Sequence, residues 1–178
     1  MKILAFAASN SKTSINKQLV QSAISQLKNS ILPDVEVELI DLNDYEMPIY
    51  RPDRETDDGI PEQAQRFYQK IGEADAVLIS FAEHNGYYTS AYKNLFDWTS
   101  RINSKVYQDK AAVLLSSSPG KGGAASALNS AVVSASYFGM DIKGSLSVPS
   151  FYENFDMEKG EISNPELRET LGQLLKQL

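Results

Sequence analysis

Three short stretches concentrate residue types that hold ligands better than they fill cores. Residues 9–16 read Ser9-Asn10-Ser11-Lys12-Thr13-Ser14-Ile15-Asn16, with four hydroxyls, two carboxamides and one cation in eight positions. Hydroxyls can turn their O–H toward the oxygens of an anion. Leading into a helix, such a run adds free N–H groups and the positive end of the helix dipole, a combination that suits phosphate. The plainer reading makes Thr13 or Ser14 an N-cap and nothing more. Residues 82–89, Ala82-Glu83-His84-Asn85-Gly86-Tyr87-Tyr88-Thr89, offer a rigid turn, a ring, an amide and two tyrosines. Flat ligands use such backbone donors and stacking surfaces. The plainer reading is a turn on Asn85-Gly86, with Glu83 paired to Lys93 or Arg101 and His84 on the surface. Residues 116–123, Ser116-Ser117-Ser118-Pro119-Gly120-Lys121-Gly122-Gly123, let the backbone approach a ligand and aim successive N–H groups at it.

Composition removes much other chemistry. The 178 residues contain no cysteine, which excludes disulfides, thiolate nucleophiles, iron–sulfur clusters and zinc–thiolate sites. A single histidine, His84, excludes a His-rich metal site. A net charge of −6 opposes binding to duplex nucleic acid. The longest apolar stretch near the start, residues 3–8, is too short for a signal peptide or a membrane span. The expectation is a soluble, cytoplasmic protein forming one domain over residues 1–178.

The elements that must position the three stretches follow one pattern, an apolar strand, a polar loop and a helical period. Residues 2–8, 35–42, 76–82, 111–115 and 142–148 read as strands. Between them, Leu19, Val20, Ala23, Ile24 and Leu27 mark one helix, and Ala64, Phe67, Tyr68 and Ile71 a second, with Pro61 in its first turn. Ala91, Leu95, Trp98 and Ile102 mark a third; residues 124–140 form an Ala/Ser-rich fourth. A last helix opens on Asn164 as N-cap and Pro165. Residues 44–60 are a long irregular excursion, either a lid or an oligomer contact. Alternating strands and helices predict an α/β three-layer sandwich. Its five-stranded parallel sheet takes the flavodoxin-like order 2-1-3-4-5, with helices on both faces. Ligands of such sheets sit beyond the carboxyl ends of the strands, at the switch point between strands 1 and 3. The three stretches follow strands 1, 3 and 4, so they converge there.

A phosphate at the first loop and a planar, acceptor-rich ring across the other two are the two ends of flavin mononucleotide (FMN). The motifs also resemble those of the NAD(P)H-dependent FMN reductase family. The first loop is similar to its Gly-Ser-x-Arg-x-x-Ser-x-Asn phosphate motif: Ser9, Ser14 and Asn16 match, while Ala8 stands for the Gly and Ser11 for the Arg. Residues 82–98 resemble its Pro-Glu-Tyr-Asn-Gly loop and following helix through Glu83, Asn85, Gly86, Lys93, Asn94, Asp97 and Trp98. Here Ala82 replaces Pro, His84 replaces Tyr and Tyr92 replaces Leu. Residues 118–123 are similar to its Ser-Pro-Gly…Gly-Gly loop. The resemblance covers about residues 1–150.

It implies that Ser9, Ser11, Lys12, Ser14, Ile15 and Asn16 hold the FMN phosphate. It also implies that Glu83, His84, Asn85 and Gly86 face the isoalloxazine, with Ser118, Pro119, Gly120, Lys121 and Gly122 on its other edge. NAD(P)H is the implied co-substrate, a small-molecule electron acceptor the implied partner, and a homodimer or homotetramer the implied assembly. No side-chain acid or base is required, because the flavin carries the chemistry. Ser11 in place of Arg predicts weaker FMN retention, Lys12 replacing its charge imperfectly. His84 in place of Tyr predicts altered ring stacking or potential. Lys121 and Arg101 are candidates for the NADPH edge; Tyr87 and Tyr88 either wall the site or pack elsewhere. A flavodoxin-like electron carrier without efficient NAD(P)H oxidation is the competing reading. A dinucleotide-binding Rossmann turn is absent after strand 1, and no Gly-x-Ser-x-Gly hydrolase elbow exists.

Overall fold

The computed structural model describes residues 1–178. Its sheet strands are β1 (Lys2–Ala8), β2 (Glu36–Ile40), β3 (Ala76–Phe81), β4 (Lys110–Ser117) and β5 (Met140–Val148). They pair in parallel in the order β2-β1-β3-β4-β5, the flavodoxin-like order expected. The helices are α1 (Ile15–Ser30), α2 (Pro52–Asp58), α3 (Glu62–Glu73), α4 (Ser90–Ile102), α5 (Ala125–Ser134), the single turn α6 (Phe151–Asn154) and α7 (Pro165–Leu175).

Strand periodicity divides the core in two. Leu4, Phe6, Val77, Ile79 and Leu114 point to one face, where Phe67 of α3, Leu95 and Trp98 of α4 and Ala127 of α5 cover them. Ile3, Ala5, Leu78, Val113 and Leu115 point to the other, covered by Leu19, Val20 and Ala23 of α1 and Leu171 and Leu175 of α7. The central strands are buried on both faces, which is why they read as unbroken apolar runs. Asn164 caps α7 through the N–H groups of Glu166 and Leu167, with Pro165 at the first position, as expected.

Several boundaries differ from expectation. Strand β4 runs on to Ser117, so Ser116 and Ser117 are buried strand residues, not loop. Their hydroxyls donate to Gly123 O and Val148 O, which satisfies them inside the sheet. Helix α5 ends at Ser134, not at 140. Gly139, at φ 68, turns the chain, and Met140 N–H reaches back to Ala135 O at 2.9 Å. Pro61 occupies the N-cap of α3. The excursion at 44–60 holds a 3-10 turn (Leu42–Tyr45) and α2, neither expected. Two small antiparallel hairpins, Glu83–His84 with Tyr87–Tyr88 and Phe155–Asp156 with Glu161–Ile162, were also not expected.

Candidate active site

The carboxyl ends of β1, β3 and β4 lie side by side, with Ala8 opposite Phe81 and Phe81 opposite Ser116. The three loops therefore leave the sheet at one edge. In the first, Ser14 N-caps α1 by accepting from Lys17 N at 3.2 Å, and Ser9 Oγ accepts from Ser11 N at 3.2 Å. Ser9 and Ser14 are largely buried; Asn10, Ser11, Lys12 and Thr13 are exposed, and Ile15 is half-buried. The backbone N–H groups of Lys12, Thr13, Ile15 and Asn16 make no hydrogen bond within the chain. Open donors at the head of a 16-residue helix are the arrangement that binds anions. Asn16 differs from its expected part. Its side chain turns inward to Ser80 and Ser117 and is 2% exposed.

The second loop is a tight hairpin. Asn85 and Gly86 both take positive φ, 55° and 81°, so the plainer turn reading holds as well. His84, Asn85 and Gly86 are exposed. Glu83 pairs with neither Lys93 nor Arg101. Its Oε2 accepts from Ala127 N at 3.0 Å, capping α5, whose own N-cap residue, Ala124, offers no side chain. Glu83 thus ties the second loop to the third. Thr89 caps α4 and donates to Ala8 O at 2.9 Å, tying the second loop to the end of β1. Tyr88 packs on Phe81 and Tyr92, and burial pushes its hydroxyl up to about 12; Tyr87 stays half exposed.

The third loop is held from below. Ser150 N donates to Gly120 O, and Phe151 N to Ser118 O. This support comes from the turn after β5, which nothing in the sequence pattern marked except the residues following Pro149. Ser118 is half-buried; Pro119, Gly120, Lys121 and Gly122 are exposed. The N–H groups of Ser118, Gly120, Lys121 and Gly122 are unpaired within the chain. Gly123 and Ala124 both sit in the left-handed region, as does Ser150, so backbone strain gathers around this loop.

The cluster fits FMN on observations of the chain itself. Open N–H groups stand on both the first and the third loop. Lys12 and Lys121 are the loop cations, and neither is tied to a carboxylate, unlike Lys17, which pairs with Asp41 at 2.6 Å. Nothing lies within 4 Å of where a Cβ would stand on Gly86, Gly120 or Gly122, so the backbone there is open to a flat ligand. An apolar cavity of about 230 Å³ lies between α4 and α5, lined by Tyr88, Tyr92, Phe96, Tyr107, Ala131 and Phe138.

One expectation is corrected and two motif residues gain a role. Arg101 lies at the far end of α4, about 17 Å of helix from Ser90, and binds Glu55 of α2 at 2.9 Å. It does not border the groove. Asn94 and Trp98 turn out to hold the 47–50 segment. Asn94 accepts from Tyr50 N and donates to Met47 O and Pro48 O, while Trp98 Nε1 donates to Pro48 O at 2.8 Å. Their spacing of four on one helix face was the available signal.

Sheet order and loops together define a flavodoxin-like fold with three polar loops gathered at its switch point. More particularly, residues 1–153 match the family described as NADPH-dependent FMN reductase, and the chain belongs to that family. FMN with NAD(P)H is the cofactor pair of that family. An NADPH:quinone oxidoreductase of Arabidopsis thaliana is 34% identical over 123 residues, 69% of this chain and 61% of that protein. The chain thus spans about three fifths of that relative. A flavoenzyme NAD(P)H:(acceptor) oxidoreductase from Paracoccus denitrificans shares the fold at TM-score 0.74 and 24% identity, covering 98% of this chain and 92% of that one. An FMN-dependent NADH-azoreductase from Bacillus anthracis, solved in complex with FMN, does so at TM-score 0.70 and 13% identity, covering 98% of both chains. No helix is long and apolar enough to cross a membrane.

Proposed function

We propose that this chain is an FMN-dependent NAD(P)H oxidoreductase that reduces a small-molecule acceptor such as free flavin, a quinone or an azo compound. The observation that carries the reading is that unpaired N–H groups of the first and third loops, with Lys12 and Lys121, leave the sheet at one edge. Family membership supports the cofactor, and the relatives' names support the acceptor classes.

The phosphate would rest on the first turn of α1, against the N–H groups of Lys12, Thr13, Ile15 and Asn16 and the hydroxyls of Ser9, Ser11 and Ser14. Lys12 offsets locally the net charge of −6, which otherwise repels a dianion. The ring would lie between the 83–86 hairpin and the Ser118, Pro119, Gly120, Lys121 and Gly122 loop. When bound, FMN supplies the hydride acceptance and the electron delivery. The chain's part is to orient the ring and leave one face open. NAD(P)H and then the acceptor would occupy that face in turn, the order of a ping-pong reaction. We further read residues 1–178 as one FMN-binding domain working in the cytoplasm as a homo-oligomer; exposed Val133 and Tyr137 provide apolar surface for a second copy.

The test is an absorption spectrum of purified protein with added FMN, followed by NADH and NADPH under anaerobic conditions. Binding followed by bleaching, and sustained NAD(P)H oxidation once quinone or azo dye is added, is the expected result. No uptake of FMN would overturn the flavin reading. Binding without turnover would instead make the chain a carrier.

A further inference from the structure

Asn16 stands at the second residue of α1, directly behind the proposed phosphate groove, yet its carboxamide faces away from it. Oδ1 accepts from Ser80 Oγ at 2.7 Å and from Ser117 N at 3.0 Å, and Nδ2 donates to Ser117 O at 3.0 Å. The register explains this. Strands β3 and β4 pair last at Phe81 and Ser116. The N–H and C=O of Ser117 on the side facing β3 have no further strand partner, because β3 has ended. The carboxamide of Asn16 fills that vacancy as a peptide group would, with one donor and one acceptor toward the same residue. Ser80, fully buried on β3, fixes the carboxamide from the other strand.

We propose that Asn16 is a positioning residue for phosphate recognition. Its side chain locks the first turn of α1 to the ends of β3 and β4, so that the free N–H groups of Lys12, Thr13, Ile15 and Asn16 converge on one point. This rests on the FMN reading above. The chemistry is selective. Only a carboxamide offers a donor and an acceptor side by side, and glutamine is one methylene too long for a site packed this closely. An aspartate would leave Ser117 O unpaired in the interior. Hydrogen bonds weaken steeply with misalignment, so a small rotation of the helix head spoils several donors at once.

Ser80→Ala tests the idea without replacing Asn16 itself: it removes the hydrogen bond that fixes the carboxamide from β3 and so loosens the lock on the first turn of α1. Dissociation constants for FMN and for riboflavin, which lacks the phosphate, are compared in the wild type, Ser80→Ala and Asn16→Ala. The expected result is FMN binding weakened about fivefold to tenfold in Ser80→Ala and more in Asn16→Ala. Riboflavin binding stays within about twofold of wild type in Ser80→Ala, as expected of a change confined to phosphate contacts. In the ligand-free proteins, amide exchange at Ser11, Ser14 and Lys17, the hydrogen-bonded N–H groups of this segment, speeds up in both variants, a readout independent of any flavin. FMN affinity unchanged in Ser80→Ala, or FMN and riboflavin weakened equally, overturns the positioning role. If the wild type binds no FMN, both this inference and the functional reading fall. If it binds FMN and only Ser80→Ala departs from expectation, the positioning role alone falls.

Discussion

The glycines of the third loop separate stability from binding. At Gly123 a Cβ would strike Ser147 Oγ and approach the Pro149 backbone at 3.1 Å, and φ is +57°. Gly123→Ala should therefore destabilise the fold by about 2–4 kcal/mol, from overpacking and left-handed strain together. Thermal unfolding should fall by roughly 5–15 °C for a domain of this size; an unchanged midpoint would mean the loop repacks freely. Gly120, by contrast, has nothing within 4 Å of its missing Cβ. Gly120→Ala should leave the unfolding midpoint alone while weakening FMN, because the new methyl enters the groove. Ser11 carries a prediction of the opposite sign. It is exposed, and it serves the loop through its backbone, accepting from Ser14 N and donating to Ser9 Oγ. Ser11→Arg disturbs neither bond and adds a bidentate cation, so FMN should bind about tenfold tighter, with steeper salt dependence. Titrations at two salt concentrations check both; affinity that does not respond to the new charge would place the phosphate elsewhere.

Among the elements, α4 does more than cover the sheet. Asn94 and Trp98 hold the 47–50 segment, Tyr50 stacks edge-on against Trp98 at 5.0 Å, and Arg101 and Tyr50 both bind Glu55. The excursion at 44–60 is thus strapped to α4 and is no free lid. Asn94→Ala removes three hydrogen bonds at one site, and trypsin should then cut after Arg54 about tenfold faster while the rest of the fold resists, as local opening requires. Equal cleavage of wild type and variant would show that the strap holds nothing. Such long-range contacts mark the limit of what the sequence makes legible. Strand order was readable because central strands buried on both faces leave apolar runs, and Asn164-Pro165 or Asn85-Gly86 act within a few residues of themselves. Helix α2 buries none of its residues, so it leaves no apolar stripe to read. Ser116 and Ser117 looked like loop because hydroxyls are polar, yet their acceptors come from Gly123 and Val148. The gathering of the three loops at one sheet edge was legible, but the partners of Asn16 lie 64 and 101 residues away and that of Glu83 44 away, beyond any local pattern.

Across the whole molecule, charge and burial set the pH range in which the fold survives. On the acid side, Lys70 and Lys2 hold Glu38 below its ordinary 4.5, and Lys17 with the Asn43 amide holds Asp41 below its ordinary 3.8. A carboxylate lowered in the folded state stabilises it above the unfolded value. That contribution is lost as pH falls through the folded value. Both pairs are partly exposed, so solvent screens them and the acid loss should be gradual, beginning near pH 4. On the alkaline side the sign reverses. Tyr92 and Tyr107 are buried and share a 2.7 Å hydrogen bond, and burial drives both hydroxyls well above the ordinary 10, with Tyr88 pushed up to about 12. A raised value favours the protonated form in the folded state. The stabilisation is therefore complete below pH 10 and disappears as pH climbs through 12 and beyond. Tyrosinate absorbance and far-ultraviolet circular dichroism followed together in an alkaline titration should show the last tyrosines ionising only as the secondary structure collapses. Replacing Tyr92 and Tyr107 with phenylalanine removes those late protons and should make the alkaline transition less steep. If all nine tyrosines titrate near pH 10 with the dichroism unchanged, the Tyr92–Tyr107 pair is open to water and the core between α4 and α5 is looser than its packing indicates.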